Sequence, residues 1–94
     1  MWQKQIEQYE QLIELVKQDK WKEAKELERE IFNALKDLYW QGILERVITI
    51  QDSDYLYDGN KRYKDIAIRR IEQNMKRLKY HDFYGEYDSY GYEY

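Results

Sequence analysis

The sequence predicts a mainly all-α protein: an antiparallel helical hairpin followed by a third, basic amphipathic helix. Three observations point there. Apolar residues recur at steps of three and four over three separate stretches, the spacing that lines one face of a helix. No proline interrupts any of them. The residues between the apolar positions are mostly Gln, Glu, Lys and Arg, which tolerate helix well. With 94 residues and 11.8 kDa, the chain fits one small domain with a modest core. That domain is expected over 1–80, with an acidic, tyrosine-rich tail at 81–94.

The first helix is carried by Trp2, Ile6, Tyr9, Ile13 and Val16, with Leu12 and Leu15 widening the stripe. Gln18-Asp19-Lys20 interrupts it. Asp19 is expected to cap the next helix, because a carboxylate can accept the orphan N–H groups of a first turn. The second helix is carried by Ala24, Leu27, Ile31, Ala34 and Leu38, with Phe32, Leu35 and Tyr39 broadening the face. Gly42 weakens it near its end. The connection is short, so the two helices should pair as an antiparallel hairpin. The stretch from Leu15 to Leu27, with Asp19-Lys20-Trp21-Lys22-Glu23-Ala24 at its bend, resembles one tetratricopeptide helix pair. That resemblance implies the hairpin and nothing further. The family's glycine before the bend is absent and no second copy follows, so its peptide-binding function is not carried over. The even spacing of Trp2, Trp21 and Trp40 comes without other matches behind the tryptophans and is read as coincidence.

Residues 43–50 are rich in β-branched side chains, which suit extended structure but are equally compatible with prolonging the helix. Residues 51–60 contain Asp58-Gly59-Asn60 and read as a loop, so 43–60 is read as a loop or a short β-hairpin, with helix as the alternative over 43–50. A third helix is expected over 61–80. Ile68, Ile71, Met75 and Leu78 form its apolar face. Arg62, Arg69, Arg70, Lys76 and Arg77 fall opposite, with Ile66 and Gln73 among them. The tail repeats tyrosine, glycine and carboxylate, a low-complexity pattern that in isolation reads as mobile.

The net charge of −3 conceals three blocks. Residues 1–60 hold 8 Lys/Arg against 13 Asp/Glu, residues 61–80 hold 8 against 2, and residues 81–94 hold none against 4. Blocks so polarised create local fields that the total hides.

Chemistry finds little support. The absence of cysteine removes disulfides, thiol catalysis and thiolate metal sites. The one histidine, His81, is read as a helix C-terminal residue that favours the dipole there. Ser53 and Ser89 lie in no nucleophile motif, and the four glycines are scattered rather than gathered in a phosphate loop. Asp54, Asp58, Gly59 and Asp65 fall at positions one, five, six and twelve of a calcium loop, the last being Asp where a bidentate Glu is needed. Leu56 and Arg62 occupy two others, where one cannot ligate and the other repels the ion. No enzyme activity, cofactor or metal is therefore expected. No apolar run approaches the 18 residues of a membrane span, and Met1-Trp2-Gln3-Lys4 opens no secretory signal. A cytoplasmic protein without membrane partners is expected.

What remains is binding. The leading expectation is an inhibitor that occludes a nucleic-acid-binding surface of a partner protein. Asp82, Tyr84, Glu86, Tyr87, Asp88, Tyr90, Tyr92 and Glu93 would stand in for phosphates and bases. In size and composition such a chain is similar to small phage-encoded inhibitors of host defence, anti-CRISPR proteins included. A competing expectation folds the tail back over the basic helix and neutralises it. The alternative function is a nucleic-acid or nucleotide-binding module. It would use Arg62, Arg69, Arg70, Lys76 and Arg77 on phosphates, with Tyr63 and nearby aromatics adding stacking on bases. A second alternative is a self-associating helical scaffold, such as a homodimer, built on the apolar stripes.

Overall fold

The computed structural model describes residues 2–47, Ile50 and 61–91, with 81–91 described as helix backbone. Among them four helices form: α1 (Gln3–Lys17), α2 (Trp21–Ala34), α3 (Lys36–Trp40) and α4 (Lys61–Gly91). No strand occurs among the described residues. α1 packs against both α2 and α4 and is the central helix of the all-α fold. Its buried positions are Ile6, Tyr9, Leu12 and Val16, while Ile13 and Leu15 are partly buried against the same core. The predicted stripe thus centres on Leu12 rather than Ile13.

The turn between α1 and α2 differs from the capping expected of Asp19. Asp19 has φ +60 and forms no side-chain cap on α2. It ends α1 instead. The Asp19 amide donates to the Val16 carbonyl at 3.1 Å and the Lys20 amide to the Leu15 carbonyl at 2.9 Å. That bond pair is the Schellman closure, with Asp19 in the left-handed position that glycine usually takes. A short polar side chain tolerates that conformation better than most. The carboxylate stays useful there, since its Oδ2 accepts from Lys64 Nζ at 3.2 Å and ties the start of α4 to this turn.

The second predicted helix is broken. It stops at Leu35, where φ is −121 and ψ 28, and resumes as α3. Ala34, placed on the apolar face by its spacing, is exposed, whereas Leu35, Leu38 and Tyr39 are buried. At the end of α3 the same closure recurs. The Gly42 amide donates to the Tyr39 carbonyl at 3.1 Å and the Ile43 amide to the Leu38 carbonyl at 3.0 Å. Gly42 has φ +80. Residues 43–47 are neither helix nor strand, and they carry Leu44 and Val47 into the core. The weighed β-hairpin has no counterpart there; residues 48–49 and 51–60 lie outside those described.

On α4 the fully buried positions are Ala67, Ile71, Asn74 and Leu78, and Ile68 and Met75 sit at their margin. The helix does not end at residue 80. Its backbone continues to Gly91, so His81 is not the C-terminal residue that the sequence suggested. Without a proline, tyrosines and carboxylates can prolong a helix, and one interior glycine costs only about 1 kcal/mol.

The Gly42 stop yields a stability prediction. Nothing lies within 4 Å of a Cβ built on Gly42, so a side chain meets only the strain of positive φ. Gly42→Ala is expected to lower stability by about 1 kcal/mol, and Gly42→Asn by less, because Asn tolerates this region. Urea unfolding checks the order; an alanine variant as stable as the parent would refute it.

Candidate functional site

The basic face of α4 is organised as two rows. Seven residues advance an α-helix by about 10.5 Å and rotate it by only about −20°. Arg62, Arg69 and Lys76 therefore form one row, and Tyr80 follows one turn beyond it. Tyr63, Arg70 and Arg77 form the second. Arg62, Arg69, Lys76 and Arg77 are exposed and Arg70 is half-buried. An aromatic ends each row: Tyr63 is 40% exposed and Tyr80 51%. Among the described residues, Arg62, Arg69, Arg70 and Lys76 make no hydrogen bond or ion pair. Two other cations of the helix are engaged. Lys64 holds Asp19, while Arg77 Nη1 donates to the Ile43 carbonyl at 3.3 Å and stands 4.0 Å from Glu45 Oε1.

Beside these rows runs an open groove of about 620 Å³, lined by Gln41, Gly42, Ile43, Glu45, Lys76, Arg77 and Tyr80. One wall is the chain leaving α3; the other is α4. The walls are joined by Asn74, whose Oδ1 accepts from the Glu45 amide at 3.0 Å while its Nδ2 donates to the Glu45 carbonyl at 2.7 Å.

Asn74 belongs to a buried polar cluster that touches every helix. It lies beside the Tyr9 hydroxyl, and Tyr9 and Tyr39 share a hydroxyl–hydroxyl bond of 2.6 Å. Glu28, 1% exposed on α2, has its Oε1 3.6 Å from Arg46 Nη2. Arg46 in turn lies over the Phe32 ring at 4.0 Å, and Phe32 packs on Tyr39 at 4.9 Å. Burial pushes the hydroxyls of Tyr9 and Tyr39 far above the usual tyrosine value, and the neighbouring Glu28 charge pushes both the same way. Tyr9, Tyr39 and Glu28 are buried in the core.

Sequence reasoning found the cation rows and Tyr63. It missed the groove wall of Gln41, Gly42, Ile43 and Glu45, for which the helix stop at Gly42 was the only signal, and it missed Glu28 and Asn74 as core residues. Of the tail set, Asp82, Tyr84, Glu86, Tyr87, Asp88 and Tyr90 stand on the continuing helix, where the backbone alone is described. Tyr92 and Glu93 lie outside the described residues, as do Asp54, Asp58 and Gly59 of the calcium-loop match. The tail was also expected in a form that returns over the basic face. The helix instead carries 81–91 onward along the axis of α4. Among the described residues no group of three or more His, Cys, Asp or Glu gathers, and no helix is long and apolar enough to cross a membrane. No protein-family model, curated protein or solved structure matches this chain.

The tyrosine pair predicts an alkaline limit. In the unfolded chain both hydroxyls titrate near the usual value of about 10. In the folded chain they stay protonated well beyond it. Above that pH the unfolded state binds fewer protons, so stability is flat below about pH 10 and falls as pH rises further. Tyr9→Phe and Tyr39→Phe should each cost roughly 1–2 kcal/mol, the double variant less than their sum, with a shallower alkaline decline. Urea midpoints from pH 8 to 11 measure both effects; a parent protein with constant midpoints would contradict the assignment.

Proposed function

We propose that this chain is a non-enzymatic nucleic-acid-binding protein whose phosphate-contacting surface is the basic face of α4. One observation carries the reading: Arg62, Arg69, Arg70 and Lys76 project in ordered rows with no ion pair among the described residues. Guanidinium and ammonium groups repeated along a rigid rod suit a phosphate backbone, and release of condensed counterions supplies the affinity. Tyr63 and Tyr80 at the row ends suit stacking on bases. The acidic balance of residues 1–60 does not cancel this surface. Among the described residues of 1–60, only the carboxylates of Asp19 and Glu45 come within ion-pair distance of a cation of α4.

The reading fixes a salt dependence. Binding to a short oligonucleotide should weaken linearly in log–log form as salt rises, and Arg62→Ala, Arg69→Ala and Lys76→Ala should each lower the slope by about 1 across unrelated sequences. Fluorescence anisotropy from 50 to 200 mM salt reads this out, and a flat titration at 50 mM would end the proposal.

A second reading keeps the tail as the effector, an inhibitor occluding a basic groove of a partner protein. It is supported by the continuation of the helix backbone to Gly91, which carries the acidic segment on the same rigid rod as the cation rows. Removing 81–94 separates the two. It deletes four carboxylates and should tighten oligonucleotide binding while leaving helical circular dichroism of the core intact. Loss of binding on truncation would transfer the contact surface to the tail.

A further inference from the structure

The groove beside the cation rows is more specific than a phosphate strip requires. A helix that only touches phosphates needs no concavity, yet Lys76 and Arg77 both face one of about 620 Å³. That volume falls within the range of small-molecule sites, roughly 300–1,000 Å³. Its lining is mixed in a particular way. Ile43 and the Tyr80 ring are apolar surface, Lys76 and Arg77 are cationic, and Gln41 and Glu45 offer a side-chain amide and a carboxylate. At Gly42 the backbone lies bare, with open space where a Cβ would stand. Tyr80 is half-exposed and follows the row of Arg62, Arg69 and Lys76, about 6 Å along the helix from Lys76.

We propose that this groove is a single-nucleotide subsite, entered by one unstacked nucleotide of a single strand. The inference rests on the phosphate-contacting role of α4 and deepens it. The nucleotide's phosphate meets Lys76 and the remaining N–H donors of Arg77. Arg77 Nη1 is already committed to the Ile43 carbonyl, but a guanidinium carries five donors. The base lies on the Tyr80 ring, and its polar edge faces Gln41 and Glu45. A carboxylate there accepts from an exocyclic amine and repels a second phosphate, which orients the nucleotide with its phosphate toward α4. Duplex bases are stacked and offer only their edges. An aromatic face beside a concave site suits a base that has left the stack. The site is also preformed: Asn74 and Arg77 fasten the wall of Ile43 and Glu45 to α4 by three hydrogen bonds.

The test compares a fluorescein-labelled 12-nucleotide single strand with the same sequence as a duplex, at 50 mM salt, by anisotropy. Tyr80→Ala should weaken single-strand binding roughly tenfold and leave the duplex within about twofold. Tyr80→Phe, which keeps the ring, should bind like the parent. Arg69→Ala should weaken both nucleic acids alike. The Tyr80 side chain is half-exposed, and circular dichroism confirms that its variants remain folded. If Tyr80→Ala leaves single-strand binding unchanged while Arg69→Ala weakens it, the subsite is overturned and the phosphate surface stands. If Tyr80→Phe loses as much as Tyr80→Ala, base stacking on the ring is overturned. If neither nucleic acid binds the parent, the phosphate surface and the subsite fall together.

Discussion

Asn74 stands in the middle of α4, 1% exposed, and its carboxamide closes two hydrogen bonds with the backbone of Glu45. Burying an amide without partners costs several kcal/mol, so the helix can occupy this place only if the irregular segment meets it in register. That segment arrives there because α3 ends at Trp40 and Gly42, with φ +80, turns the chain back toward α4. Beside the same amide lies the Tyr9 hydroxyl, which is hydrogen-bonded to Tyr39, with Glu28 and Arg46 alongside. One buried polar cluster therefore connects α1, α2, α3, the segment after α3 and α4. The apolar residues supply most of the burial; the polar cluster decides how they line up.

The elements that were legible in the sequence are those set by local periodicity. Ile6, Tyr9 and Val16 on α1, Ala24, Leu27 and Ile31 on α2, and Ile71 and Leu78 on α4 all stand where their spacing placed them. What was illegible depended on partners distant in the chain. Asp19 looks like a cap from its neighbours alone, but the closure of α1 and the reach of Lys64, 45 residues later, set its conformation. Glu28 reads as solvent-facing within a run of charges, yet Arg46 and the tyrosine pair surround it. Asn74 interrupts an apolar stripe, and no local rule foretells that Glu45 will occupy both halves of its amide. The break at Leu35 has no visible cause in the sequence, since Ala34-Leu35-Lys36 are all good helix formers. The three evenly spaced tryptophans end in unlike places: Trp21 is buried, Trp2 is half-buried and Trp40 is 75% exposed. No repeat organises them.

Net charge is a poor guide to this surface. A pI near 5.2 suggests a chain that avoids polyanions. Glu7, Glu10, Glu14, Glu23, Glu26 and Glu30, however, are spread over the exposed faces of α1 and α2, while the cations of 61–80 share one helix. Salt bridges at exposed sites are worth little, at most about 1 kcal/mol, so the pairs Lys64–Asp19 and Arg77–Glu45 are better understood as positional than as stabilising. They tie Lys64 and one edge of the Arg77 guanidinium to neighbouring segments, while Arg62, Arg69, Arg70 and Lys76 keep their regular spacing. A helix whose charges were merely solvating would have no need of that order, and the groove beside it would have no reason to collect Lys76, Arg77 and Tyr80 on one side.

Register links these two aspects of the molecule. The buried face of α4, made of Ala67, Ile71, Asn74 and Leu78, repeats at three and four residues, and so does the face of α1 beneath it. Such stripes pack almost as well when displaced by one helical turn, because dispersion and burial carry little positional information. A turn is about 5.4 Å along the axis, enough to carry Lys76, Arg77 and Tyr80 away from Gly42 and Glu45. Hydrogen bonds to a backbone do not tolerate such a slip. The two bonds of Asn74 are lost at any other register, which leaves a buried amide unpaired. The buried amide thus fixes which side chains of α4 face the groove, and the composition of the groove follows from a residue that never touches it.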